Sequence, residues 1–180
     1  MQQTRKIPNT TLCCIDCINH DLAIQALQTS MAACSFERVL FLTNRSYVLS
    51  GIETVQIPAL DSRDAYSAFV LHALAEHIET EFVLLIQWDG YVVNPAAWRD
   101  EFLQYDYIGA VWGQHKDAHR VGNGGFSLRS KKLLSACRQI SLEGETLSED
   151  DLVCRKHRPL LECEFGIRFA PEHVAERFSF

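Results

Sequence analysis

Five consecutive apolar residues, Phe82 to Ile86, form the strongest apolar run in the chain. Successive side chains of a strand point to opposite faces, so a strand with no polar position has to be covered on both sides. That requirement excludes a sheet with one wet face at this point and demands packed layers above and below. The run then passes into Gln87-Trp88-Asp89-Gly90. A buried strand that ends on a carboxylate followed by a glycine is either a solvated turn or a place where a cation or phosphate approaches the backbone.

The rest of the chain supplies the layers. "TTLCCIDCI" reads as a first strand, and "DLAIQALQTSMAAC" sets Ala23, Leu27, Met31 and Cys34 on one helical stripe. "RVLFLT" is a second strand and "TVQI" a weaker third, stopped by Pro58. Asp61 is the expected cap of a helix whose apolar face is Tyr66, Phe69, Val70, Ala73 and Leu74. Strands alternating with helices imply an α/β fold of three layers, α/β/α, around a mainly parallel central sheet. Ligands of such sheets bind beyond the carboxyl ends of the strands, where Asp16 and Asp89 fall.

Downstream, Asn94-Pro95 opens a helix expected to run through Phe102, and "YDYIGAVW" reads as a strand. "GQHKDAHR" and "SLEGETLSED" are polar loops. "VGNGGFSLRS" leads into the helix "KKLLSACRQ". Ser148 is placed to cap a helix beginning at Glu149, Pro159 to end or kink it, and "GIRFA" to form a closing strand before a one-turn helix from Pro171. With 180 residues and no linker or repeat, a single domain over 1–180 is expected.

The formal net charge of −6 argues against a nucleic-acid partner, because phosphate backbones call for a basic surface. No apolar stretch approaches the length of a transmembrane segment, and the start "MQQTRKIPNTTLCCIDC" lacks the apolar core of a signal peptide. The seven cysteines are odd in number and several lie among apolar residues, which suits a reducing compartment, so a cytoplasmic location is expected.

Three segments carry chemistry. Asp89 offers a hard oxygen to Mg²⁺ or Mn²⁺, ions that complete their shell with substrate phosphates. Gly122-Asn123-Gly124-Gly125 permits positive φ or close approach of a ligand, although its spacing is neither a P-loop nor a dinucleotide fingerprint. Glu149-Asp150-Asp151 sits at a helix start, where the helix dipole favours acids and where a carboxylate is also able to act as a general base.

At this point "LLIQWDGYVVNPAAW", "YDYIGAVW", "VGNGGFSLRS", "SEDD" and "FAPEHVAERFSF" together resemble a bacterial family of uncharacterised domains that look like GT-A-fold glycosyltransferases. The resemblance runs from about Asp61 to the end of the chain and more loosely over the first strands, and "GNGGFSLRS" is its most specific part. It implies a GT-A-like nucleotide-diphospho-sugar transferase fold, a nucleotide-sugar donor, a saccharide or other hydroxyl acceptor, and a divalent metal, Mn²⁺ or Mg²⁺. Asp89 would take the metal, as in an Asp-x-Asp motif whose first acid is here Gln87. Gln87, Trp88 and Gly90 would line the nucleotide site, and Gly122, Asn123, Gly124 and Gly125 the sugar and acceptor pocket; outside the resemblance, Asp16 at the end of the first strand is placed to help hold a nucleotide. Asp150, with Glu149 second, would be the base of an inverting transfer. Members of that family usually continue past "RFSF" to an "FGFH" stretch whose His resembles a last metal ligand. The expectation here is a chain without that tail, with His173 as the substitute candidate.

Two other readings stay beside this one. The alternative from another class is a non-catalytic or degenerate GT-A-like domain that binds a nucleotide or sugar, favoured by Gln87 and the missing tail. Cys14-Ile15-Asp16-Cys17 is formally a redox motif, and Cys154 with His157 could join Cys14 and Cys17 at zinc, but buried cysteines account for both.

Overall fold

The computed structural model describes residues 4–179. A two-residue parallel pair, β1 (Arg5–Lys6) with β3 (Cys34–Ser35), accompanies a six-stranded sheet. That sheet comprises β2 (Thr10–Ile15), β4 (Arg38–Thr43), β5 (Glu53–Gln56), β6 (Phe82–Ile86), β7 (Tyr107–Ile108) and β8 (Phe126–Ser130), in the order β5-β4-β2-β6-β8-β7. The pairs β5/β4, β4/β2 and β2/β6 are parallel, whereas β8 is antiparallel to both β6 and β7. Parallel neighbours need crossovers, supplied by α1 (His20–Ala33) between β2 and β4, and by a helical segment between β5 and β6.

The strands alternate between two cores. Leu12, Cys14, Phe41, Leu84 and Ile86 face Ala23, Ala26 and Leu27 of α1. Cys13, Leu40, Leu42, Val83 and Leu85 face Val70, Leu74 and Ile78. Covering both faces of β6 in this way is what its unbroken apolar run requires. Among the described residues no helix is long and apolar enough to cross a membrane.

Several local expectations are corrected. Cys34 belongs to β3, although it is buried as its place on the stripe implied. Ser62 rather than Asp61 caps α2 (Arg63–Ala68), its Oγ accepting the Ala65 N–H at 3.1 Å. The helix then widens into a π turn, Phe69–Ala73, before α3 (Leu74–His77). The helix expected through Phe102 is two 3₁₀ turns, Pro95–Ala97 and Asp100–Gln104.

"GGFSLRS" is not a mere lead-in to a helix, because its last five residues are the whole of β8. Ser130 ends that strand and caps α4 (Lys131–Cys137), accepting the Leu133 N–H at 3.0 Å. After α5 (Glu149–Asp151) a second π turn, Leu152–Lys156, leads to α6 (Arg158–Phe165). Pro159 therefore lies in a first turn, where its missing N–H costs nothing, and it opens a helix instead of ending one. "GIRFA" contributes a single bridge, Phe169 to Tyr107, and α7 (Glu172–Phe178) closes the described chain.

Candidate functional site

The Gln87 turn, the glycine loop and the acidic helix start meet at the carboxyl end of β6. The Gln87 N–H donates to the Gly125 carbonyl at 2.9 Å, carrying the β6–β8 ladder one step past the Ile86–Phe126 pair. The Gly90 N–H then donates to the Gln87 carbonyl at 3.1 Å and closes the turn. On the other side of the loop, the Gly124 N–H donates to Asp150 Oδ2 at 2.9 Å. Two bonds made by the loop backbone thus join three segments that lie far apart in sequence.

The loop glycines work by space and not by dihedral freedom. Asn123, at φ 62°, takes the left-handed conformation, and Gly122, Gly124 and Gly125 do not. Asn suits that region because its short amide bonds locally, here with Oδ1 accepting the Gly125 N–H at 3.2 Å. A Cβ on Gly124 would lie 2.0 Å from Glu149 Oε1, and one on Gly125 would lie 2.9 Å from Gln87 Oε1. What approaches these positions closely is therefore the protein's own Glu149 and Gln87. Gly122 is likewise covered by the Trp112 ring.

The two candidate bases differ sharply. Glu149 is buried, and both its oxygens accept from Arg129, Oε2 from one terminal nitrogen and Oε1 from the other, each at 2.8 Å. Arg129 is equally buried, its Nε donates to Ser127 Oγ at 2.9 Å, and its guanidinium lies over the Tyr107 ring at 5.3 Å. The strand register explains that cluster. Ser127 and Arg129 share one face of β8, and Tyr107 is the direct cross-strand partner of Arg129. The charge of Glu149 beside it holds the Arg129 guanidinium firmly protonated against the cost of burial.

Asp150 is only half-buried. Its Oδ1 accepts from Ser148 Oγ at 2.5 Å and from the Asp151 N–H at 3.0 Å, while among the described residues Oδ2 accepts from Gly124 alone. An ionised carboxylate offers about four lone-pair sites, so one remains, on Oδ2. Ser148 holds the expected N-cap position, but its single hydroxyl proton is shared between the carboxylates of Asp150 and Asp151 and makes no cap.

A cavity of about 330 Å³ opens beside this junction, bounded by Asp16, Asn19, Arg63, Tyr66, Gln87 and Trp88. The size falls in the range of small-molecule sites. Asp16 Oδ1 accepts the N–H groups of Ile18 (2.7 Å) and Asn19 (2.5 Å), so this acid shapes the entry to α1, whose Asn19 makes no side-chain cap. Burial, followed by the nearby Glu149 charge, pushes the Tyr66 phenol up. Trp88 is 42% exposed at the rim.

The turn is also the wall of a second cavity, of about 450 Å³, bounded by Asp89, Gly90, Tyr91, Asn94, Phe126 and Glu176. Asp89 is exposed and lines the second cavity, whereas its neighbours Gln87 and Trp88 line the first. His173, exposed on α7, lines neither cavity. Among the described residues no group of three or more His, Cys, Asp or Glu is arranged to hold a metal. A lone Asp89 suits an ion of the Mg²⁺ type, which takes one or two carboxylates and fills its shell from substrate phosphates.

The cysteine readings fare as their surroundings dictate. Burial, then Cys13, Asp16 and Asp89, pushes the Cys14 thiol well up, and burial pushes Cys13 to about 12. Neither forms a ready thiolate. Cys14, Cys17, Cys154 and His157 form no metal cluster among the described residues. Arg129, Ser127 and Tyr66 are the site residues that reading the sequence missed. The one available signal was Ser127-Leu128-Arg129, two polar residues at strand spacing in a segment otherwise fit for a core.

Among solved structures, the chain is similar to a mannosyltransferase from Pyrobaculum calidifontis in complex with GDP-Man and Mn²⁺ (TM-score 0.61, 10% identity, covering 91% of this chain and 54% of that one). It is also similar to the bifunctional IspDF of Campylobacter jejuni (TM-score 0.56, 12% identity, 89% and 48%). A third likeness is to 2-C-methyl-D-erythritol 4-phosphate cytidylyltransferase from Thermus thermophilus (TM-score 0.52, 13% identity, 88% and 85%). The chain spans about half the length of the first two. These likenesses establish a GT-A-like fold of the nucleotidyl- and glycosyltransferase kind. No curated protein sequence matches the chain. A family model described as "Protein of unknown function (DUF5672)" matches residues 50–180, and the chain belongs to that family.

Proposed function

We propose that this protein transfers a sugar from a nucleotide-sugar donor to a hydroxyl acceptor with inversion. The observation that carries this reading is the Gly124–Asp150 hydrogen bond. It sets a carboxylate with one open lone pair beside the loop, and the loop is bonded in turn to the turn carrying Asp89. The nucleotide would occupy the cavity of about 330 Å³ between Asp16, Gln87 and Trp88. The diphosphate would lie towards Asp89, and the acceptor on the Asp89–Tyr91 side.

In the reaction, Asp150 Oδ2 takes the proton of the acceptor hydroxyl as its oxygen attacks the anomeric carbon. The bond from that carbon to the diphosphate oxygen breaks, and its electron pair leaves with the nucleoside diphosphate. A divalent ion, Mn²⁺ or Mg²⁺, held by Asp89 would neutralise charge on the departing diphosphate. Glu149 is proposed to support Asp150 from within the core, since Arg129 occupies both its oxygens. This assignment does not use His173.

A non-catalytic nucleotide- or sugar-binding domain is the second reading. It is favoured by Gln87, whose side chain packs on Gly125 and adds no charge where an Asp-x-Asp motif has its first acid. The test is a panel of nucleotide sugars assayed for binding and turnover with and without Mn²⁺. Transfer by the wild type, with turnover lost but binding kept in Asp150→Asn, supports the transferase. Metal-dependent binding without turnover supports the second reading, and no binding anywhere in the panel overturns both.

A further inference from the structure

The Asp150 carboxylate is held by a closed ring of contacts, and that ring runs through a residue unable to touch substrate. From Arg129 one branch passes to Glu149 through two bonds of 2.8 Å and then, across one peptide, to Asp150. The other passes from Arg129 Nε to Ser127 Oγ at 2.9 Å and from that hydroxyl to the Gly124 carbonyl at 3.2 Å. The ring closes where the Gly124 N–H donates to Asp150 Oδ2 at 2.9 Å. Both polar groups of Gly124 are thereby fixed, and its Cα is pressed so near Glu149 that no side chain fits.

We infer that Arg129 is the positioning residue of this site: it sets the Asp150 carboxylate against the glycine loop through Glu149 on one side and Ser127 on the other. The inference rests on the transferase reading for its consequence in turnover, but not for its consequence in loop geometry. Arg129 and Glu149 have side chains only 1% and 5% exposed, so neither can meet a phosphate or a hydroxyl. A buried ion pair is also weak evidence of a purely stabilising role, because apolar residues of similar volume often replace one without loss. A planar fork that binds one carboxylate by two bonds and a hydroxyl by a third supplies orientation, which an apolar pair does not.

That difference is the test. The double variant Arg129→Met/Glu149→Leu exchanges the pair for apolar side chains of similar reach, and its urea midpoint is compared with that of wild type. Exchange of the Gly124 amide is followed by NMR, and kcat and KM are measured with whichever nucleotide sugar the wild type turns over. The expected result is a folded protein whose Gly124 amide exchanges at least about tenfold faster. Its kcat should fall about 100-fold, the penalty of a small misplacement, while KM moves less than about threefold. A folded double variant with wild-type kcat and Gly124 protection overturns the inference.

Should the double variant not fold, Arg129→Lys takes its place, since an ammonium keeps the charge but cannot bridge Glu149 and Ser127 as a fork. Faster Gly124 exchange at an unchanged urea midpoint then supports the inference, and unchanged exchange overturns it. Where the wild type turns over no nucleotide sugar, the transferase reading fails alone, and Gly124 exchange still decides the role of Arg129.

Discussion

The Gly124 amide and the Asp150 carboxylate are 2.9 Å apart and join the glycine loop to the helix that begins at Glu149. The same glycine leaves no room for a β-carbon, which would come within 2.0 Å of Glu149 Oε1. Gly124→Ala should therefore destabilise the fold by about 1–3 kcal/mol through overpacking, read as a lower urea midpoint at unchanged slope. Alanine tolerated at wild-type stability would mean that the loop is looser than this contact implies.

Breaking the buried pair from one side should cost more. Arg129→Ala leaves the Glu149 carboxylate buried without its partner, and about 3–5 kcal/mol is expected. Chemical denaturation measures it directly, and a loss under about 1 kcal/mol would show that water reaches Glu149 freely.

Asp89 lies exposed at the edge of the cavity of about 450 Å³, so its removal should leave the fold nearly untouched. Asp89→Ala is expected to stay within about 0.5 kcal/mol of wild-type stability while abolishing the Mn²⁺-dependent part of nucleotide-sugar binding. Titration calorimetry with and without metal separates the two effects. Metal dependence surviving in this variant would remove Asp89 from the proposed site.

Trp88 provides an optical check on the nucleotide cavity, because it lines that space at 42% exposure whereas Trp98 is buried elsewhere. Adding UDP or GDP with Mn²⁺ should change the indole emission of wild type, and Trp88→Phe should lose that change. A response that persists in Trp88→Phe places the ligand elsewhere.

Alkaline pH should weaken the fold in a defined window. Cys13 and Cys137 are raised by burial from 9.0 to about 12. Above pH 9 the unfolded thiols lose protons that the folded ones keep, so stability falls as pH rises towards 12. The slope approaches about 1.4 kcal/mol per pH unit for each thiol. Urea midpoints from about pH 8 to 11 test this, and the slope should be shallower in Cys13→Ala. The exposed Cys163 should meanwhile be alkylated well before Cys13 or Cys14. An unchanged slope would mean that these thiols ionise alike in both states.

The layers were legible in the chain because they depend on the nearest neighbours in sequence. Unbroken apolar runs at Phe82 to Ile86 and across "RVLFLT" report burial on both faces, and the intervening amphipathic helix reports what covers them. The position of Asp16 and Asp89 just beyond strand ends was legible for the same reason, since both closely follow apolar strands. β8 was not, because Ser127 and Arg129 interrupt its apolar pattern and disguise a buried strand as a loop. Nor was the division of labour between Glu149 and Asp150, two adjacent acids that look alike in a string of letters. Only the antiparallel insertion of β8 between β6 and β7 brings Arg129 beneath one of them and the Gly124 amide onto the other. Local polarity dictates which segments are buried, whereas the partner of a buried charge depends on strand order and register, which residues distant in sequence settle together.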